Sequence, residues 1–328
     1  MTLKHIAGMA SQTRFCGHVL SQLEKLNFRS TSLRVLAFHR IGNPAMKSDY
    51  YPGLISTSPE RFCEQLDYLA AQKNVVSMDQ AMESIQGKTD LPKRAVLLTF
   101  DDATRDFAEY AWPELQKRNL PATVFVPTSY PDNSKIHFWW DRLYRAIYRA
   151  PDGTVISIGN DKHVLGTFSQ RKSVFRYLKE HLKTLSHAEF QQAMESITSA
   201  CNVPDPDHNN VMSWSELISL QKSGVTLAPH TQTHPMLNQL NAAEVTAEVT
   251  GSWQDLKSVL QGEIPKVLAY PAGGVNAETE LVLKNCGYEL AFTTRRGVNP
   301  LPATNCFRLN RINVGQRTTL GLLRLQLL

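Results

Sequence analysis

The 328-residue sequence contains no apolar run long enough to span a bilayer, so an integral membrane span is not expected. Near the start, Ser11, Gln12, Arg14 and His18 interrupt anything resembling the apolar centre of a signal peptide. The plain expectation is a cytoplasmic protein, or a periplasmic or cell-surface one had a leader been removed. No Gly-x-Gly-x-x-Gly follows the first strand-like run and no Walker loop occurs, which leaves nucleotide binding unsupported. The five cysteines (Cys16, Cys63, Cys201, Cys286, Cys306) are odd in number and include no Cys-x-x-Cys, arguing against a disulfide framework and against a zinc finger. There is no block of Lys and Arg. A net charge of +5 spread over this length gives no other sign of a nucleic-acid partner, whose binding would depend steeply on salt. No internal repeat is visible.

What is present is an ordinary globular composition, 42% hydrophobic and 20% charged, enough for a sizeable core. Short aliphatic runs end at Phe38, Thr99, Val126, Ala228, Tyr270 and Thr293, and most are separated by segments with helical periodicity. Ser58-Pro59-Glu60, Ser213 with Glu216, and Asn241 with Glu244 mark helix starts. Strands alternating with helices at this spacing predict an α/β fold of parallel strands and crossover helices. Residues 1–30 are mixed and polar, suited to one amphipathic helix outside the core, and about 129–212 breaks the alternation as an insertion with helices of its own. Pro113 is expected to break or kink a helix over 106–119.

Two of the aliphatic runs end in chemistry. Ala95 to Thr99 leads through Phe100 into Asp101-Asp102, and Val225 to Ala228 leads through Pro229 into His230-Thr231-Gln232-Thr233-His234. Taken alone, an Asp pair after a strand is a turn or helix cap, and two histidines four apart are one face of a solvated helical turn. Taken together, at the strand ends where α/β sheets and barrels build their sites, they supply one carboxylate and two imidazoles for a divalent ion. The remaining carboxylate is then free to act as a base beside it.

These residues resemble the first two motifs of the polysaccharide deacetylases, carbohydrate esterase family 4, which share the nodulation-type chitooligosaccharide deacetylase domain. Leu120-Pro121-Ala122-Thr123-Val124-Phe125-Val126-Pro127 also matches the text after the first motif, and Ala269-Tyr270-Pro271-Ala272-Gly273 resembles the third. The resemblance covers about 33–128 and 212–314. It implies a deformed (β/α) barrel of about seven parallel strands over 33–316 with a helical insertion at about 129–212, an N-terminal extension of 1–32 and a C-terminal tail of 317–328. It further implies a metal-dependent hydrolase that removes N-acetyl groups from hexosamines of a glycan or lipid-linked sugar. One divalent metal is expected, zinc first, and peripheral association with a membrane-bound glycan pathway would suit such a substrate. By the same resemblance Asp101 is the general base, Asp102, His230 and His234 are the ligands, and Ala272 supplies an oxyanion-binding N–H. Alternatives are hydrolysis of another linear amide on the same fold, or a silent sugar-binding scaffold.

Departures from the family pattern sharpen the expectations. Its usual general-acid histidine lies in a late Leu-x-Leu-His segment, yet no histidine follows His234. His39, closing the first strand, is the substitute, as in the permuted biofilm poly-N-acetylglucosamine deacetylases, unless it merely bonds a nearby loop. Ala103 stands where the first motif has Gly, and Ala269 where the third has Arg. Arg311 and Arg308 are equal candidates to replace that arginine by pairing with Asp101, with a surface role the simpler reading of either. Tyr270, Trp139, Trp140 and Arg311 are the candidate substrate contacts; of the adjacent tryptophans at least one is expected in the core. His163, His181, His187 and His208 are expected to be solvated.

Overall fold

A strand buried on both faces of a parallel sheet must be apolar at nearly every position, and Ala95–Phe100 (AVLLTF) is buried throughout. The computed structural model of the protein describes residues 32–43, 49–159 and 161–328. Among these, seven strands lie in parallel around a nearly closed barrel: β1 (Ser32–Phe38), β2 (Ala95–Phe100), β3 (Thr123–Val126), β4 (Thr226–Pro229), β5 (Val267–Ala269), β6 (Leu290–Arg296) and β7 (Leu309–Asn313). The hydrogen-bonded order is β5-β6-β7-β1-β2-β3-β4, so the chain runs round the ring in sequence and the ladder is interrupted between β4 and β5. This is the deformed seven-stranded barrel expected from the sequence.

Alternation along the strands divides the core. Val35, Leu97, Phe125, Ala269, Phe292 and Leu309 belong to one cluster, within the ring. Leu36, Leu98, Phe100, Val124 and Leu227 belong to a second, against the helices. Phe38 stacks on Phe100, its register partner on β2, with centroids 5.1 Å apart.

The helix signals hold where a cap can be checked. Ser58 caps Pro59–Gln72, whose buried face is Phe62, Gln65, Leu66 and Leu69. Capping boxes open Trp214–Lys222 and Ala242–Val259. Each such cap satisfies N–H groups that would otherwise lack partners, worth about 0.5–2 kcal/mol. Pro113 does interrupt its segment: a π-helical turn, Phe107–Ala111, passes into Trp112–Lys117 with the proline in the first turn, where its missing N–H costs nothing. The short strand Asn74–Val76 stops there because Ser77 and Gln80 form a capping box for Met78–Ile85.

The insertion carries three helices, Trp139–Arg149, Phe168–Leu182 and His187–Cys201, around an apolar core of its own. It also contains an antiparallel hairpin, Val155–Ile158 with Asp161–Val164, not anticipated from the sequence. Its one local signal is the Gly159-Asn160 pair after the β-branched run Thr154 to Ile158, since the second strand, Asp161–Val164, has only Val164 of that type. The segment expected as a tail is instead a helix, Leu320–Gln326, with Leu322, Leu323 and Leu327 buried and the Leu327 carbonyl accepting from Arg34 Nε at 2.8 Å. The N-terminal helix expected over 1–30 lies outside the described residues. No described helix is long and apolar enough to cross a membrane.

Candidate active site

All the motif residues lie just past the C-terminal ends of barrel strands: His39 after β1, Asp101 and Asp102 after β2, His230 after β4, Ala272 after β5. The loops that carry them are held in unusual backbone. Asp102, Ala103, Thr231, His234 and Ala272 all have positive φ, between 50° and 72°. A non-glycine residue in that region costs on the order of 1–2 kcal/mol, so the surroundings must impose it. At the first loop, Ala103 O accepts from Met212 N and Asn210 O accepts from Arg105 N, which ties the Asp pair to the chain leaving the insertion. The left-handed φ at Ala103 explains why glycine suits that position.

The two histidines are not on a helix. They are joined by a loop in which Thr231 and His234 are left-handed, and His234 N donates to Thr231 Oγ1 at 3.0 Å. Glu248, on the following helix, accepts from Gln232 N at 2.8 Å and Thr233 N at 2.9 Å and so clamps the loop. The result brings His230 Nε2 to 3.5 Å and His234 Nε2 to 3.3 Å from one oxygen, Asp102 Oδ1. His230 Nδ1 lies 2.7 Å from the Ala269 carbonyl, across the interrupted seam between β4 and β5. Donation there fixes the tautomer and turns the Nε2 lone pair toward Asp102. Burial lowers the His234 pKa, against the pull of Asp102, and favours the neutral imidazole that can ligate.

Three buried ligand atoms, one from each residue, therefore converge within 4.8 Å of one another. Lone pairs facing each other out of water are costly without a cation between them. A carboxylate with two imidazoles suits a borderline divalent ion, so the residues fit the metal that the motifs imply.

Asp101 is built differently. Its Oδ1 and Oδ2 each accept from Arg311, at 2.7 Å, in a bidentate pair. Arg311 is fully buried and also donates from Nε to Thr293 O at 2.9 Å. Neither the surface role nor the substrate contact expected of Arg311 holds, because its guanidinium is used up inside the barrel. Arg308 pairs with Glu280 and is not the partner of Asp101. The physical logic is compensation within the ring: Ala269 and Arg311 both occupy inward-facing positions at the same end, on β5 and β7, with β6 between them. The guanidinium missing from one strand enters from another. Burial would raise the Asp101 carboxyl, but Arg311 outweighs it and keeps it below the ordinary value. His39 Nε2 lies 3.9 Å from Asp101 Oδ2, on the open side of the carboxylate, while its backbone N–H donates to Ser56 Oγ.

Two cavities meet at this centre. One, of about 190 Å³, is lined by His39, Asp101, Asp102 and Tyr51, and the other, of about 350 Å³, runs along the insertion past Phe190 and Met194. Trp139, His234 and Ala272 line both, so they form the divide between the two arms. Trp139 is half-buried and faces the cleft, whereas Trp140 is mostly core, edge-on to His234 at 5.1 Å and touching the first cavity. Tyr270 does not meet the expectation of a sugar contact. Its side chain is fully buried between β5 and the neighbouring helices, and it lines neither cavity. Of the histidines expected to be solvated, His187 is half-buried on the second cavity, His163 and His181 are half-buried beside Tyr177, and only His208 is exposed. Gly273 (φ 75°) completes the third-motif turn, since a Cβ there would fall 2.2 Å from Thr294 Oγ1. Tyr51, Thr294, Lys179 and Lys183 also line the first cavity and were not foreseen. None lies near a motif in sequence, and only the fold brings them in.

A family model, polysaccharide deacetylase, matches residues 88–291, more than half of the chain. Over 122 residues the chain is 25% identical to the poly-beta-1,6-N-acetyl-D-glucosamine N-deacetylase of Staphylococcus epidermidis, a match spanning 35% of this chain and 42% of that protein's length. In fold it is similar to the Streptococcus pyogenes deacetylase PplD (TM-score 0.62, 20% identity), with 91% of this chain and 99% of that one covered. It is also similar to IcaB from Ammonifex degensii (TM-score 0.58, 18% identity), covering 90% and 97%. With the barrel, the paired Asp and His motifs and the family model in agreement, the chain belongs to the polysaccharide deacetylase family.

Proposed function

We propose that the protein is a divalent-metal-dependent hydrolase that removes N-acetyl groups from hexosamine residues of a glycan or lipid-linked sugar and releases acetate. The observation that carries the proposal is the convergence of His230 and His234 on Asp102 Oδ1, beside a second carboxylate held separately by Arg311. Asp102, His230 and His234 would hold the ion, with zinc the first choice for this donor set. When bound, such an ion acts as a Lewis acid toward the acetyl carbonyl and makes water more acidic. Asp101, kept ionised by Arg311, takes the proton of the attacking water. The Ala272 N–H, which the turn bonds from Gly273 to Tyr270 and from Gly274 to Pro271 do not use, meets the developing oxyanion. His39 gives a proton to the departing amine, because an amide nitrogen leaves poorly without one. The arrangement of both proton-transfer groups around one buried ligand set favours this reading over a silent sugar-binding scaffold.

Acetate release from N-acetylhexosamine oligomers and lipid-linked sugars, measured with and without a chelator, tests the proposal. The expected result is release from at least one N-acetylated sugar, abolished by chelation and restored by a divalent ion. Release only from non-sugar amides would favour the other linear-amide reading, and no release from any substrate would remove the hydrolase.

A further inference from the structure

Lysines in the last turn of a helix are ordinarily explained by the helix dipole and solvent. Lys179 and Lys183, at the end of Phe168–Leu182, are placed otherwise, because both line the cavity that contains Asp101, Asp102 and His39. The buried face of that helix (Val174, Phe175, Leu178, Leu182) packs into the insertion core, which fixes the direction in which its last turn points. Lys179 lies over the ring of Tyr51, which lines the same cavity. The acids on this wall have partners of their own: Asp101 is matched by Arg311, and Asp102 would be matched by the ion it is proposed to hold with the two histidines. The lysines share one carboxylate, Glu180, at 3.3 Å from Lys179 Nζ and 3.9 Å from Lys183 Nζ, so two cations face one anion that is itself 63% exposed. One positive charge is left over, beside the proposed reaction centre.

We infer that Lys179 and Lys183 form a subsite for an oxyanion, a carboxylate or a phosphate, carried by the substrate next to the N-acetylated sugar. The insertion thereby selects acidic or phosphate-linked hexosamine substrates over neutral ones. The Lys183 side chain is still 38% exposed, and its partial desolvation lowers the pKa, with Glu180 opposing it; an anion at this place would accept charge-assisted hydrogen bonds from both ammonium groups. The class of substrate rests on the proposed hydrolase reading, but the anion subsite can be tested without turnover.

The experiment uses the whole ion-loaded protein and trisaccharides without N-acetyl groups, which offer no amide to hydrolyse: one neutral, one bearing a uronate, one bearing a phosphate ester. Calorimetric titration should show at least one acidic ligand binding about tenfold tighter than the neutral one, the scale of a charge-assisted hydrogen bond. In the Lys179→Gln/Lys183→Gln protein that advantage should fall to within about twofold, whereas Lys172→Gln, exposed on the same helix, should keep it. Uronate preferred over phosphate points to an acidic glycan, and the reverse to a phosphate-linked sugar. Equal binding of acidic and neutral ligands, no binding of the acidic ones, or an advantage that survives the double substitution would overturn the inference. Failure of the hydrolase reading is seen separately, as the absence of acetate release from every N-acetylated substrate.

Discussion

Asp101→Asn is expected to lower turnover of an N-acetylated substrate by about 10²–10⁴ while the protein keeps its bound ion. The carboxylate that would be lost does not touch the ligand set; it accepts both donors of Arg311, and its neighbour Asp102 alone faces the histidines. Stability should fall as well, because the substitution leaves a fully buried guanidinium against a neutral amide. Breaking a buried pair in this way costs about 3–5 kcal/mol, so thermal unfolding must accompany the assay. The pair also has a pH signature. The folded-state pKa of Asp101 lies below its ordinary value, so the pair's stabilisation is present above the unfolded carboxylate pKa of about 3.9 and is lost as pH falls through the lower folded value. Arg311→Gln removes that support, and burial then raises the Asp101 pKa, so the acid limb of kcat/KM should move to higher pH. Loss of the ion from Asp101→Asn would mean that the two aspartates have exchanged roles.

His39→Ala should retain the ion and lower amide turnover by about 10²–10⁴, with a much smaller loss on an activated ester of the same acyl group. The contrast follows from the leaving group: an amine needs a proton to depart, and a good ester leaving group does not. His39 is positioned for that task, with Nε2 3.9 Å from Asp101 Oδ2 and the imidazole on the cavity wall. Its backbone bond to Ser56 is independent of the ring, so the substitution should leave the strand end intact. Equal losses on both substrates, or near-native amide turnover, would remove His39 from the acid role.

How much of this was legible in the sequence depends on what each signal measures. Strand ends were legible because a doubly buried parallel strand leaves an unbroken apolar run, and the site residues stand immediately after such runs. The ligand set was legible for the same reason, yet the local geometry was not: the four-residue spacing of His230 and His234 suggested a helical face, and a left-handed loop clamped by Glu248 produces the convergence instead. Arg311 could not be separated from Arg308 in the sequence, because the distinction is one of strand parity. Arg311 is two residues from the inward Leu309 and enters the ring, whereas Arg308 turns out to Glu280. Tyr270 was misplaced by adjacency to a motif, since its neighbours' role says nothing of which way its own ring points. Lys179 and Lys183 were invisible as site residues, lying in an insertion that only tertiary packing folds over the cleft.

Divalent-ion content per chain, measured by elemental analysis on the wild-type protein and on Asp102→Asn and His230→Ala alongside acetate release, bears most directly on the metal centre. About one ion per chain is expected in the wild type, and ion and activity should be lost together in both variants. Full ion content in either variant, or acetate release that persists without the ion, would contradict the assignment.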